Sequence, residues 1–181
     1  AVPESINIIA PTTLNLRKTS NGGTGTFGFA LTNTTQATGS VTTASAGVAT
    51  QVDGDTGTTG TQTFTVSANG TAITIDENSL PAGWLLSSAT CTNSGGTTVG
   101  SLAGTTYTIP AGSVTASQAF TCTFTNTKRP TLTLRKISNG GTGTFGFALT
   151  NTVQTTGTIT TSTAGATEQV DGDTGTSGTQ A

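Results

Sequence analysis

Three features of the sequence predict an all-β chain. Threonine fills roughly a quarter of the 181 positions, and branching at Cβ favours strands over helix interiors. No window sustains a 3.6-residue apolar period, whereas apolar/polar alternation is common. The clusters NGG, DGDTG, NG, PAG and NSGG punctuate the chain with residues that tolerate positive φ or fix a turn. Only 31% of residues are hydrophobic, but the net charge is −2, and disorder usually pairs low hydrophobicity with high charge. A folded β protein with threonine-covered faces is expected.

The elements follow from the alternation in chain order. LNLRK makes Leu14–Lys18 the first strand, TFGFALT places a second over Thr26–Thr32, and SVTT a third over Ser40–Thr43. TQTFTVSA (Thr61–Ala68), AITIDE (Ala72–Glu77) and WLLSSATCT (Trp84–Thr92) supply three more. TTYTI (Thr105–Ile109) and AFTCTFTN (Ala119–Asn126) complete the set. About seven or eight short strands at this spacing fit a Greek-key sandwich.

The chain then repeats. LNLRKTSNGGTGTFGFALTNT from Leu14 returns as LTLRKISNGGTGTFGFALTNT from Leu132, and Arg17 recurs as Arg135, a period of 118 residues. So long a period fits tandem sandwiches, because solenoid repeats run to roughly 20–50 residues. The expected organisation is an N-terminal arm at 1–11, a complete sandwich at 12–129 and the first part of a second repeat at 130–181. An open half sandwich invites pairing, so more repeats, or strands from another chain, are expected to complete it. The arm SINIIA (Ser5–Ala10) is strand-like enough to serve as a donor.

Three polar residues interrupt the apolar registers. Leu14 and Leu16 lead to Lys18; Ile73 and Ile75 lead to Glu77; Phe120, Cys122 and Phe124 lead to Asn126. One such residue is ordinarily a strand end emerging into solvent. Three together point to chemistry. A buried amine and carboxamide condense to an amide with loss of ammonia when a carboxyl group shuttles the protons. Burial favours the neutral amine and the neutral acid, and positioning makes the reaction intramolecular. Lys18 is the expected nucleophile, Asn126 the electrophile and Glu77 the proton shuttle.

These residues resemble the B-type (prealbumin-like, SpaA-like) domains of bacterial surface adhesins and pilins. The resemblance lies in a lysine closing the first strand (LNLRK) and a glutamate four residues before a P-x-G-aromatic turn (ENSLPAGW). An asparagine that ends the last strand and is followed by a linker (TFTNTK) completes it. It covers the whole first unit and implies a transthyretin-like (Ig-like) sandwich with a spontaneous Lys–Asn isopeptide bond. The threonine content and the two cysteines depart from that pattern.

Cys91 and Cys122 are the only cysteines, and both neighbourhoods are strand-like. In an exported β domain they are expected to form a disulfide between strands. A chain without methionine that begins Ala-Val-Pro reads as a processed, exported protein or a segment of one.

Other chemistry is poorly represented. Histidine is absent, which removes the commonest general base and metal ligand, and no nucleotide-binding or nucleophile-elbow motif occurs. No cofactor or metal is expected. DGDTG (Asp53–Gly57, again from Asp171) lacks the distal glutamate of a calcium loop and reads as a polar turn. The sequons at Asn33 and Asn69 are chance matches in so threonine-rich a chain. Irregular strands and the long period argue against a flat ice-binding threonine array. The lack of basic clusters argues against nucleic acid, and no apolar run reaches a membrane span.

An extracellular or cell-surface stalk or filament is therefore expected, with adjacent repeats or other copies as partners. Tension would pass through a covalent bond instead of strand hydrogen bonds, each worth about 1 kcal/mol net. The rival is an adhesin-type module that binds a host or surface ligand without the crosslink. Most Phe residues and Tyr107 fall on strand registers, leaving Trp84 as the one surface anchor such a module would offer.

Overall fold

Alternation in LNLRKTSN turns one side of the first strand wholly inward. Leu14, Leu16, Lys18 and Ser20 are all fully buried, while Arg17 and Asn21 are exposed. The computed structural model describes residues 9–172, so most of the proposed donor arm lies outside the described residues. The chain divides into two compact units, Ala1–Arg129 and Pro130–Ala181.

Among its described residues the first unit holds ten strands: β1 (Thr13–Asn21), β2 (Thr26–Leu31), β3 (Thr38–Thr42), β4 (Thr50–Gln51), β5 (Phe64–Thr65), β6 (Ile73–Ser79), β7 (Trp84–Thr92), β8 (Ser101–Ala103), β9 (Thr106–Ile109) and β10 (Ala119–Lys128). They form two five-stranded sheets. One has the order β4-β1-β10-β7, with β5 also paired to β1; the other runs β3-β2-β6-β9-β8. The architecture is an all-β sandwich, and the only helical piece described in this unit is a single 3-10 turn at Ala111–Ser113.

Both sheets turn their apolar alternates into one core. Leu14, Leu16, Phe64, Phe120 and Phe124 from the first sheet meet Phe27, Phe29, Ile73, Ile75 and Ile109 from the second, all at most 2% exposed. Each such side chain stabilises the fold by about 1.5–3 kcal/mol on burial. Edge-to-face rings join the sheets, with Phe29 and Phe124 centroids 5.4 Å apart and Phe27 and Trp84 5.2 Å apart. Trp84 is thus buried in the sandwich and does not serve as a surface anchor.

The first and last strands are neighbours in the middle of their sheet. β1 and β10 pair in parallel from Thr13↔Ala119 to Asn21↔Thr127, and β7 flanks β10 in antiparallel. Two short strands have no counterpart among the sequence-predicted elements: β4 and β8, of two and three residues. They are too brief for alternation to register. The expected strand at Thr61–Ala68 contracts to Phe64–Thr65, followed by an isolated bridge from Val66 to Thr34.

Two β-bulges break the ladders. Thr125 faces Ser88, but Asn126 faces Leu86, so β7 carries one extra residue, Ser87. Gly28 faces Ser79, whereas Ala30 faces Asp76, which leaves one extra residue on β6 around Glu77 and Asn78. Bulges re-aim side chains locally. In β7 the buried set shifts from Trp84 to Ala89 and Cys91, switching parity across Ser87.

Tight turns complete the unit. In the DGDTG turn the Asp53 carboxylate accepts the Asp55 N–H, and that of Asp55 accepts the Gly57 N–H. Asn33, at φ 58°, is held by bonds from its amide to the carbonyls of Ala68 and Thr71 and from the Ala68 N–H to its oxygen. Gly100 is the most constrained glycine: φ is +86°, and an added Cβ would lie 2.1 Å from the Thr108 carbonyl oxygen. Gly100→Ala is therefore expected to destabilise the first unit by well over ~1 kcal/mol. Urea unfolding at constant m-value would measure this.

In the second unit, β11 (Arg135–Ile137) pairs with β14 (Thr167–Gln169), and β12 (Thr144–Ala148) with β13 (Thr156–Thr160). Both registers repeat those of the first unit 118 residues on: Arg17↔Gln51 becomes Arg135↔Gln169, and Thr26↔Thr42 becomes Thr144↔Thr160.

Candidate crosslinking site

Lys18, Glu77 and Asn126 converge in the core of the first unit, each with no exposed surface. None of them ends its strand. β1 runs three residues past Lys18, and β6 and β10 each run two past Glu77 and Asn126. Inward alternation alone therefore carries the three polar groups into the apolar interior.

Strand order sets who meets whom. Lys18 and Asn126 lie on adjacent parallel strands, with Lys18 opposite Phe124 and Ser20 opposite Asn126. The two side chains are diagonal neighbours on one face of the first sheet. Glu77 comes from β6 in the facing sheet and reaches across the core. Both Glu77 and Asn126 sit beside a bulge, yet each stays in phase with the buried residues before it on its own strand.

One carboxyl oxygen joins the trio. Glu77 Oε1 lies 3.1 Å from Lys18 Nζ, and Asn126 Nδ2 donates to the same oxygen at 3.1 Å. Lys18 Nζ also reaches the Phe124 carbonyl oxygen at 3.5 Å and lies 4.4 Å from the centre of the Phe27 ring. Glu77 Oε2 and Asn126 Oδ1 are buried without a protein hydrogen bond. Each unpaired polar atom costs about 1–3 kcal/mol, which the aromatic packing around the site must offset.

Burial governs the charges. It strips water from the Lys18 ammonium and lowers its pKa to about 8, although the Glu77 carboxylate pulls the other way. The Glu77 pKa is raised, first by burial and slightly by Asp76, against the opposing pull of Lys18 and Asn126. Both shifts favour uncharged partners: a free amine and a carboxylic acid. The arrangement is chemically directed, because the shared oxygen touches the nitrogen that would attack and the nitrogen that would leave.

The disulfide ties the same strand, β10, four residues before Asn126. Cys91 and Cys122 are directly opposed on β7 and β10 and form a bond, both fully buried. Cys122 shares its inward register with Phe120, Phe124 and Asn126.

Several contacts had no sequence signal that could place them. The Phe27 ring over Lys18 comes from a strand of the opposite sheet, and nothing in TFGFAL specifies that neighbour. The bulge at Ser87 did leave a trace, since WLLSSATC breaks strict alternation at SS. Among the described residues, no group of three or more His, Cys, Asp or Glu side chains could hold a metal ion, and no helix is long and apolar enough to cross a membrane.

A family model described as a prealbumin-like fold domain matches residues 14–128 and again residues 132–181. No curated protein and no solved structure matches the chain.

Proposed function

The chain belongs to the family of prealbumin-like fold domains, and from that premise we propose that it is an extracellular structural module of a stalk or filament, its first unit locked by a Lys18–Asn126 isopeptide bond. The observation that carries this reading is the single Glu77 oxygen 3.1 Å from both reacting nitrogens in a site sealed from water. Units 118 residues apart are tandem Greek-key sandwiches, and the partners are adjacent repeats or other copies of the chain. A module for a surface ligand would need an exposed anchor, whereas Trp84 is packed on Phe27.

The reaction balances without any added reagent. The neutral Lys18 amine attacks Asn126 Cγ, and a C–N bond forms. The Glu77 carboxylic acid gives its proton to Asn126 Nδ2, and the carboxylate left behind takes one from the attacking nitrogen. The Cγ–Nδ2 bond breaks, and ammonia leaves. The water-poor core holds the reactants in place and removes the competing hydration of amine and acid. Glu77 is regenerated and acts once per domain.

The test is an intact mass of the oxidised and the reduced chain, followed by peptide mapping. A deficit of one ammonia, located on a branched peptide joining Lys18 to Asn126, is the expected result. The full calculated mass would overturn the crosslink.

A pH profile tests the shuttle. The reactive pair holds one proton between amine and carboxyl. Above about pH 8 that proton is lost from Lys18, and Glu77 has none to deliver to the leaving nitrogen. At low pH Glu77 is protonated, as it should be, but so is Lys18, which then has no lone pair. The rate of bond formation in freshly synthesised chain that has not yet reacted should be bell-shaped. Its alkaline limb should fall near pH 8 and its acid limb above the ordinary carboxylate range, since burial raises Glu77. Timed acid quenches read by mass would give the profile.

A further inference from the structure

We propose that Ser20 stabilises the tetrahedral intermediate of the Lys18–Asn126 condensation, its hydroxyl turning to the Asn126 oxygen as charge develops there. The inference rests on the crosslinking chemistry proposed above and adds to it a fourth side chain with a role of its own.

The reaction creates a charge that the lysine, glutamate and asparagine leave unattended. Attack of the Lys18 amine on Asn126 Cγ opens the carbonyl double bond and moves its electron pair onto Oδ1. Glu77 Oε1 serves the two nitrogens, each at 3.1 Å. Asn126 Oδ1, by contrast, is buried and accepts no protein hydrogen bond. An oxyanion shut off from water needs a donor aimed at it, and one such donor is worth about 10²–10³ in rate.

Beyond the reacting trio, the buried polar side chains described in the first unit are Thr12, Ser20 and Thr43. Thr12 is engaged elsewhere, with Asn69 and the Thr115 carbonyl. Ser20 stands directly opposite Asn126 on the adjacent strand, and both side chains are fully buried on the inward face. Paired strands lie about 4.7–4.9 Å apart, so rotation about one serine torsion carries the hydroxyl toward Oδ1.

The bonds that Ser20 now makes prepare that turn. Its Oγ lies 2.8 Å from the Gly23 carbonyl oxygen and 2.7 Å from Thr43 Oγ1, and either hydroxyl of the pair can donate to the other. Thr43 in turn accepts the Gly25 N–H at 3.1 Å. A relay is therefore in place: Gly25 N–H donates to Thr43, Thr43 to Ser20, and Ser20 leaves Gly23 for the oxyanion. Each link polarises the next, and no proton changes its oxygen. The hydroxyl pair travels with the lysine in the internal repeat, where Lys136 is followed by Ser138 and Thr161, 2.8 Å apart and both buried.

The experiment follows ammonia loss by intact mass in freshly synthesised full chain, quenched with acid at timed intervals. Ser20→Ala should slow bond formation about 100-fold while the disulfide still forms. Ser20→Thr keeps the hydroxyl and should recover most of the rate. Thr43→Val keeps the shape but withdraws the donor behind Ser20, and should slow the reaction about tenfold, the worth of one neutral hydrogen bond. A parent-like rate in Ser20→Ala overturns the role of the hydroxyl. Equal slowing in Ser20→Ala and Ser20→Thr assigns the effect to packing and overturns it too. If Ser20→Ala does not fold, Thr43→Val decides, and a parent-like rate there overturns the relay. A parent chain that never loses ammonia overturns the crosslinking chemistry on which the role of Ser20 rests.

Discussion

Replacing Glu77 with alanine is expected to leave the first unit uncrosslinked, its intact mass retaining the ammonia that the parent chain loses. The geometry gives the reason. Among the described residues, Glu77 is the side chain bonded to both Lys18 Nζ and Asn126 Nδ2, so its removal leaves them without a common proton carrier. The stability change should be large as well. Closing the 108-residue span from Lys18 to Asn126 is worth about 5 kcal/mol in the chain-entropy model. Lys18 is also left as a buried amine without its carboxyl partner, which burial holds in its neutral form. Whole domains are stable by only about 5–15 kcal/mol, so a second variant that preserves packing separates loss of the bond from loss of the fold. Glu77→Gln keeps the volume and a hydrogen-bonding oxygen but has no titratable proton to pass. A folded, disulfide-bonded Glu77→Gln chain at full mass would assign the shuttle to the carboxyl group. The same chain with the ammonia missing would show that burial and proximity alone suffice and would sink the role given to Glu77.

The second large effect belongs to the disulfide. Cys91 and Cys122 are 31 residues apart, and opening that loop should cost about 3–4 kcal/mol in the same model. In a unit of this size that is on the order of 10–20 °C in melting temperature. Cys91→Ala/Cys122→Ala should show that loss by calorimetry while still forming the Lys18–Asn126 bond, since neither sulfur contacts the reacting groups in the geometry described. If the double variant keeps its full ammonia content, β10 needs the covalent tie to β7 before Asn126 is correctly placed, and the two linkages are coupled.

Much of this was legible in the sequence, for particular reasons. The inward placement of Lys18, Glu77 and Asn126 follows from a period of two, which survives wherever a strand is regular, and each strand's apolar residues set the phase. The cysteine pairing was legible for the same reason: both residues sit in strand-like surroundings in a chain with no third. Other features were not. Which strands neighbour one another depends on crossovers, so the parallel contact of β1 with β10, and the approach of Phe27 to Lys18 from the facing sheet, carry no local signal. β4 and β8 are held by backbone pairing of two or three residues, too few for a pattern. The bulge on β6 is hidden because Glu77 remains in phase with Ile73 and Ile75, and the register slips only beyond it.

The central pairing of the first and last strands has a consequence for length. With the proposed bond between Lys18 and Asn126 in place, a chain that enters at Thr13 and leaves at Lys128 would have its contour shortened to the few residues outside that bond. The residues enclosed would otherwise pay out roughly 350–390 Å on unfolding, at about 3.3–3.6 Å each. Under load such a unit behaves as a link of fixed span, with no reserve to release and no slack to recover. Cys91 and Cys122 both fall within the enclosed stretch, so reducing the disulfide would soften the unit to heat without adding to its reach.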